Sequence, residues 1–287
     1  MKTAKNKFFL SVLLFSAISI QTFAIAKVEV VLGDLALEEN PNLAMRIPQS
    51  DESEIILSRE QYVLSYNQEK RVPNWVAWKL EVDQIGDSGR SNSFKMDSEL
   101  DNYLSRHFYS PLRAVEQQEY KGSCFDRGHQ IPSADRTDTI ENNKSTFVMS
   151  NMTPQTPFLN RILWAHLEQY TRDLIQKEGK KAYIIAGPIY DEDFGAIGPD
   201  QDIQVPSKEF KVIFILNADE GPDDINADTE VISVLMPNTL QDGSNPMKNK
   251  EELCKPLSGA SGGKNDWLRY RTTIAEIETL SGLKILQ

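Results

Sequence analysis

Three histidines occur in the 287 residues. One of them, His129, closes the tetrapeptide Asp126-Arg127-Gly128-His129. A neutral imidazole takes a proton from water near pH 7. Arginine beside it offers a permanent forked cation that suits phosphate oxygens. Gly128, between the two, permits close backbone approach. A base next to an anion clamp is the minimum needed to activate water against a phosphate. Taken alone, the tetrapeptide serves equally as a turn with a surface arginine and a partly buried histidine.

A second segment adds ligand chemistry. Ser150-Asn151-Met152-Thr153-Pro154-Gln155 runs on through Leu159-Asn160 to Leu167-Glu168 and Arg172. On a regular helix Glu168 lies about 80° round from Asn160, and Arg172 about another 40°. The three share a drifting polar stripe. The amide oxygen of Asn160 is a hard neutral ligand suited to Mg²⁺, which keeps several waters. Glu168 can accept hydrogen bonds from those waters, and Arg172 can hold a phosphate. By spacing alone, a solvated helix face with one Glu–Arg pair contributing about 0.3 kcal/mol is the simpler account. Other patterns fail outright. Gly259-Ala-Ser-Gly-Gly263-Lys264 lacks one residue of a phosphate loop and the Ser or Thr that must follow Lys. No Cys/His zinc cluster is present.

The elements that must position these groups are partly legible. Strands are expected at Gln61–Tyr66, Trp75–Val82, Thr146–Ser150, Lys181–Ala186, Phe210–Asn217 and Val231–Pro237. The clearest helix is Asn160–Lys177, with Leu163, Leu167, Tyr170, Leu174 and Ile175 at three- and four-residue steps and Gly179 after its end. A last helix, Thr273–Ser281, is expected to stop at Gly282. Asp87–Ser93 and Gln241–Lys264 read as loops. The expected fold is a single α+β domain with a central antiparallel β-sheet flanked by helices. It divides as residues 1–26, a leader; residues 27–55, an N-terminal arm of low regularity; and residues 56–287, the domain.

The leader has its own signature. Lys2, Lys5 and Lys7 precede an apolar run from Phe8 to Ile20, and Ala24-Ile25-Ala26 offers small residues for cleavage. That is the pattern of a secretory signal peptide, with an uncleaved anchor as the other reading. No later stretch approaches the roughly 20 apolar residues of a membrane span. The whole chain carries a net charge of -11. That balance disfavours a purely electrostatic binder of polyanions. Between Ser105 and Arg172, however, eight Lys and Arg meet seven Asp and Glu, so the segment bearing the motifs is far less negative than its flanks. Cys124 and Cys254 are the only two cysteines; a disulfide and two buried thiols remain open.

Together, the two segments resemble the DNA/RNA non-specific endonucleases, a family of the ββα-metal (His-Me finger) superfamily, and the Pro132-Ser-Ala-Asp-Arg136-Thr137 continuation resembles its secreted cyanobacterial type. Leu64-Ser65-Tyr66-Asn67, Pro73-Asn74-Trp75, Ala186-Gly187-Pro188 and Val205-Pro206 extend the likeness over most of Ile56 to Leu283. The resemblance implies an exported enzyme that hydrolyses phosphodiesters of DNA and RNA with little base or sugar preference and leaves 5′-phosphates. It implies His129 as general base, Asn160 as the direct protein ligand of Mg²⁺ (Mn²⁺ substituting), and Glu168 acting on that metal through water. It places Arg127 and Arg172 at the scissile phosphate, Asn151 as a polar support and Asp126 in a positioning role. Arg90, ahead of Phe94 and Asp97, is the nearest match to an upstream phosphate-binding arginine, and Arg136 joins the substrate-binding set. Two alternatives stand beside this: a secreted phosphodiesterase restricted to RNA or short nucleotides, and a non-catalytic extracellular nucleic-acid binder.

Overall fold

The computed structural model describes residues 27–43, 47–50, 53–107, 113–257 and 263–286. The expected signal peptide, residues 1–26, lies outside the described residues. Among those described, no helix is long and apolar enough to cross a membrane.

Seven strands form one sheet: β1 (Lys27–Leu32), β2 (Ser53–Ser58), β3 (Val63–Asn67), β4 (Val72–Leu80), β7 (Lys180–Ile189), β10 (Lys208–Asn217) and β11 (Glu230–Pro237), side by side in that order. Two two-stranded ribbons accompany it: β5 (Asp126–His129) with β6 (Met152–Gln155), and β8 (Ala196–Ile197) with β9 (Ile203–Gln204). The helices are α1 (Ser98–His107), α2 (Ile140–Ser145), α3 (Ala165–Glu178), α4 (Lys250–Leu253) and α5 (Ile274–Ser281).

Every pairing in the large sheet is antiparallel except β1 with β2, which is parallel. The stretch expected as an irregular arm therefore supplies the edge of the sheet. Residues 33–52 are long enough to make the crossover that a parallel pair requires.

Both faces of the sheet are covered, so β4, β7 and β10 are apolar on both sides, and alternation decides which side each residue serves. On β10, Ile213 and Ile215 pack with Leu163, Trp164, Leu167 and Leu174 from the α3 side. Phe210, Val212 and Phe214 pack the other way, against Ile277, Leu283 and Ile285 around α5. Two residues on the α3 side of this strand, Glu209 and Lys211, are charged and buried. Gly187 on β7 is dictated by closeness: a Cβ there would come within 2.5 Å of the Asn74 carbonyl on β4.

Helix α3 ends as expected at Gly179, which adopts φ +65° and closes the C-terminus in the left-handed region. Its beginning differs. Leu159–Trp164 is a π turn rather than α-helix. Thr146–Ser150, expected as a strand, is instead a turn that becomes 3-10 over Met149–Asn151; the strand starts at Met152.

Cys124 and Cys254 are bonded to each other across 130 residues, which settles the open alternative. The bridge ties the chain just before β5 to the end of α4. In the chain-entropy view a closed loop of this size contributes about 4 kcal/mol, which corresponds to roughly 10 °C in the unfolding midpoint of a chain this long. A thermal melt with and without reductant should show that drop. Equal midpoints, or two titratable thiols in the denatured unreduced protein, would remove the bridge from the stability account.

Candidate active site

The two motifs meet as a hairpin. Asp126 faces Gln155, Arg127 faces Pro154, Gly128 faces Thr153 and His129 faces Met152, and the π turn and α3 follow directly. A ββα unit thus carries every central candidate. Gly128 is required by its partner strand: an added Cβ would sit 2.2 Å from Cδ of Gln155. The glycine of the first motif and the glutamine of the second are two halves of one contact.

His129 is 7% exposed and lies edge-on between two phenylalanines, with ring centroids 5.6 Å from Phe94 and 4.8 Å from Phe147. Burial is the largest influence on its pKa, and the charges of Arg90 and Arg127 add to it; a hydrogen bond to the Arg127 backbone opposes them, and the result is about 3. The ring is therefore neutral at physiological pH. Its Nε2 is buried and makes no hydrogen bond within the protein.

The arginines divide into two kinds. Arg127 lays its guanidinium 4.0 Å from the Phe94 ring, with one long bond of 3.4 Å to Gln117 Oε1. Arg90 lies 4.9 Å over Phe147 and donates to Ser133 Oγ at 2.7 Å. Both border His129 and keep donors to spare. Arg172 is more engaged: Nη1 donates to Asp135 Oδ1 at 2.9 Å and Nη2 to Gln169 Oε1 at 3.3 Å. Arg136 departs from expectation. It is 1% exposed, and its guanidinium donates to the carbonyls of Asp135, Gln61 and Lys79 and to Asn42 Oδ1. Those bonds hold the N-terminal region to β4. An arginine enclosed this way does not reach a substrate.

Asn160 Nδ2 donates to Asp126 Oδ2 at 2.8 Å, while Arg161 grips both oxygens of the same carboxylate at 2.7 and 2.6 Å. With its nitrogen held there, the amide presents its oxygen on the other side. The π turn then corrects the angular spacing. Such a turn holds one residue more than an α turn, so the eight steps from Asn160 to Glu168 advance like about seven, or roughly 20° short of two full turns. The stripe that drifts on a regular helix is brought nearly into line. Glu168 is 13% exposed. Burial raises its pKa, while Lys211, Arg172 and Arg90 pull it down.

An amide oxygen and a carboxylate on one stripe form a hard, oxygen-only donor set, which fits a cation that retains most of its water. Among the described residues no group of three or more His, Cys, Asp or Glu gathers into a cage. Asn151, fully buried, spends its side chain on the Ile131 N–H and on the carbonyls of Ile131 and Thr146. It braces the chain just after His129 and offers no exposed atom.

The model of the DNA/RNA non-specific endonuclease family matches residues 38–287. The chain belongs to that family. A nuclease from a Nostoc strain is 37% identical over 234 residues, which span 80% of this chain and 73% of that protein. A nuclease of Serratia marcescens is 32% identical over 188 residues, spanning 63% of this chain and 66% of the other. Among solved structures, the crystal structure of an EndoG/EndoGI complex superposes with a TM-score of 0.60 at 25% identity, over 80% of this chain and 84% of that one.

For this family member the sequence reading misses the layer beneath the hairpin. Glu209, wholly buried, accepts hydrogen bonds from Thr153 Oγ1 at 2.6 Å and Gln130 Nε2 at 2.9 Å. Burial pushes its pKa up to about 7 against those bonds. Lys211 is 1% exposed, and burial pulls its pKa down, opposed by Glu168 and Asp135. The available signal was two charges two residues apart inside an otherwise apolar strand, the alternation that places them on one face.

Proposed function

We propose that the protein is an exported, metal-dependent endonuclease that cleaves DNA and RNA without sequence preference and leaves 5′-phosphates. The observation that carries this reading is the unpartnered Nε2 of a buried, neutral His129 beside two arginines with free donors. Family membership supplies the substrate class. The leader residues Lys2 to Ala26 support export.

In the reaction, His129 Nε2 takes a proton from water as that water attacks phosphorus. The bond from phosphorus to the 3′-oxygen breaks, and the leaving oxygen is protonated by solvent. Arg127 and Arg90 bind the non-bridging oxygens, where negative charge accumulates. Asp126 orients the Asn160 amide, and Glu168 completes the polar stripe. Mg²⁺ bound there would supply further stabilisation of the developing charge, with Mn²⁺ able to replace it. Since phosphate and metal contacts carry no base information, little sequence preference is expected.

Incubation of the purified chain lacking residues 1–26 with plasmid DNA and with a long RNA, each with Mg²⁺ and with excess chelator, tests this on one gel. Both polymers should be degraded with Mg²⁺ and left intact in chelator. Degradation of RNA alone would restrict the substrate class, and undiminished cleavage in chelator would overturn the metal assignment.

A further inference from the structure

A lysine buried in a sheet needs a reason. Lys211 projects from β10 toward α3, where the next residues on that face are Ile213 and Ile215. An apolar side chain of similar length would continue the row without desolvating a charge. Instead the ammonium lies 4.0 Å from the ring centroid of Trp164 and 5.4 Å from that of Trp78, and 3.7 Å from Glu168 Oε1.

Each neighbour leads to a different part of the site. Trp164 Nε1 donates to the His129 carbonyl at 3.2 Å. Trp78 Nε1 donates to Asp135 Oδ2 at 3.0 Å, and the other oxygen of Asp135 accepts from Arg172. Glu168 is met directly. The ammonium therefore stands where the hairpin, the sheet and α3 converge, held over two indole faces.

We propose that Lys211 is a positioning residue of the nuclease site, fixing the Glu168 carboxylate from beneath by a buried ion pair. This rests on the functional reading above. Lys211 is 1% exposed and beneath the site, so it acts through Glu168, not on the phosphate. With the counter-charge in a fixed place, the carboxylate keeps one orientation toward the Asn160 side of the stripe. Without it, Glu168 is left partly buried and free to turn.

A double-mutant cycle with Lys211→Met and Glu168→Gln tests the coupling. Lys211→Met should lower kcat on DNA on the order of 10-fold or more, because misplacing one group of a site is costly, while KM changes less than about threefold. In the Glu168→Gln background the same substitution should add less than about threefold, since the group it positions is already gone. A second readout needs neither metal nor turnover. In chelator, Lys211→Met should lower the unfolding midpoint by stranding a buried carboxylate, and the double variant should recover most of that loss.

The proposal is overturned if Lys211→Met keeps kcat within threefold of wild type. It is equally overturned if the losses multiply independently, or if the midpoints simply add. If the wild-type protein cleaves neither DNA nor RNA, the nuclease reading falls instead, and the midpoints in chelator still decide whether the two residues act as one unit.

Discussion

His129→Ala is expected to cleave DNA on the order of 10²-fold or more slowly than wild type, the usual worth of a positioned general base. Affinity for DNA should change little, because Arg90 and Arg127 remain. Circular dichroism should show the fold intact, and fluorescence anisotropy with labelled DNA measures the binding. Cleavage within about threefold of wild type would assign the base elsewhere.

The electrostatics of the ring can be measured separately. With its pKa near 3, below the ordinary 6.5, the His129 imidazole should not titrate between pH 5 and 8 in the metal-free protein. The chain has only His107, His129 and His166, so three Cε1–H resonances, one of them absent in His129→Ala, give the answer by NMR. A midpoint near 6.5 for His129 would sink the account of burial and two arginines. The sign for stability follows from the same depression. The unfolded chain binds a proton below about 6.5 and the folded one does not until near 3. This contribution is complete above pH 6.5 and is lost progressively as the pH falls toward 3. A base this weakened accepts a proton poorly. An incoming phosphodiester, opposite in charge to Arg90 and Arg127, is expected to raise it in the complex.

Asn160→Ala is expected to resemble chelation: cleavage close to background at Mg²⁺ concentrations that saturate wild type, with at most partial recovery at much higher Mg²⁺. One neutral amide oxygen is the direct protein ligand in this reading, and the neighbouring Asp126 carboxylate is held through both oxygens by Arg161. Asp126→Ala should be milder. Losing a residue that orients a ligand costs roughly 10–100-fold in metal affinity or activity, and here it frees the Asn160 amide to rotate. Activity against Mg²⁺ concentration for both variants makes the comparison. Wild-type Mg²⁺ dependence in Asn160→Ala would remove it from the ligand set.

The meeting of the two motifs was legible in the chain because each is a contiguous run. Residues 126–129 and 150–172 hold the proposed base, His129, with the Asn160 amide and the Glu168 carboxylate, and a hairpin followed by a helix is the shortest way to bring such runs together. Helix α3 was visible because Leu163, Leu167 and Leu174 repeat on one face, and β10 because its apolar run is long. What failed had specific causes. Arg136 looked like a substrate arginine by position, yet the carbonyls of Gln61 and Lys79 and the side-chain oxygen of Asn42, all distant in sequence, enclose it, and no local pattern records that. Helix α1 was missed because SELDNYLSRH carries few apolar residues, and only Leu100, Asp101 and Leu104 are buried. Strands β1 and β2 gain their regularity from each other and from β3, a non-local pairing that propensity does not register. Lys211 and Glu209 were overlooked because a charged residue in a strand ordinarily faces water.

The π turn at Leu159–Trp164 makes the site sensitive to length as well as to composition. Deleting Leu159, just ahead of the amide, would let the segment relax into regular α-helix. It would also rotate Asn160 by about 100° relative to Glu168 and pull its amide away from Asp126. Every residue now assigned to the chemistry would still be present and in the same order. The eight steps joining the amide to the carboxylate would then advance about 800° instead of about 700°, so a chain that kept all of them would lack a site.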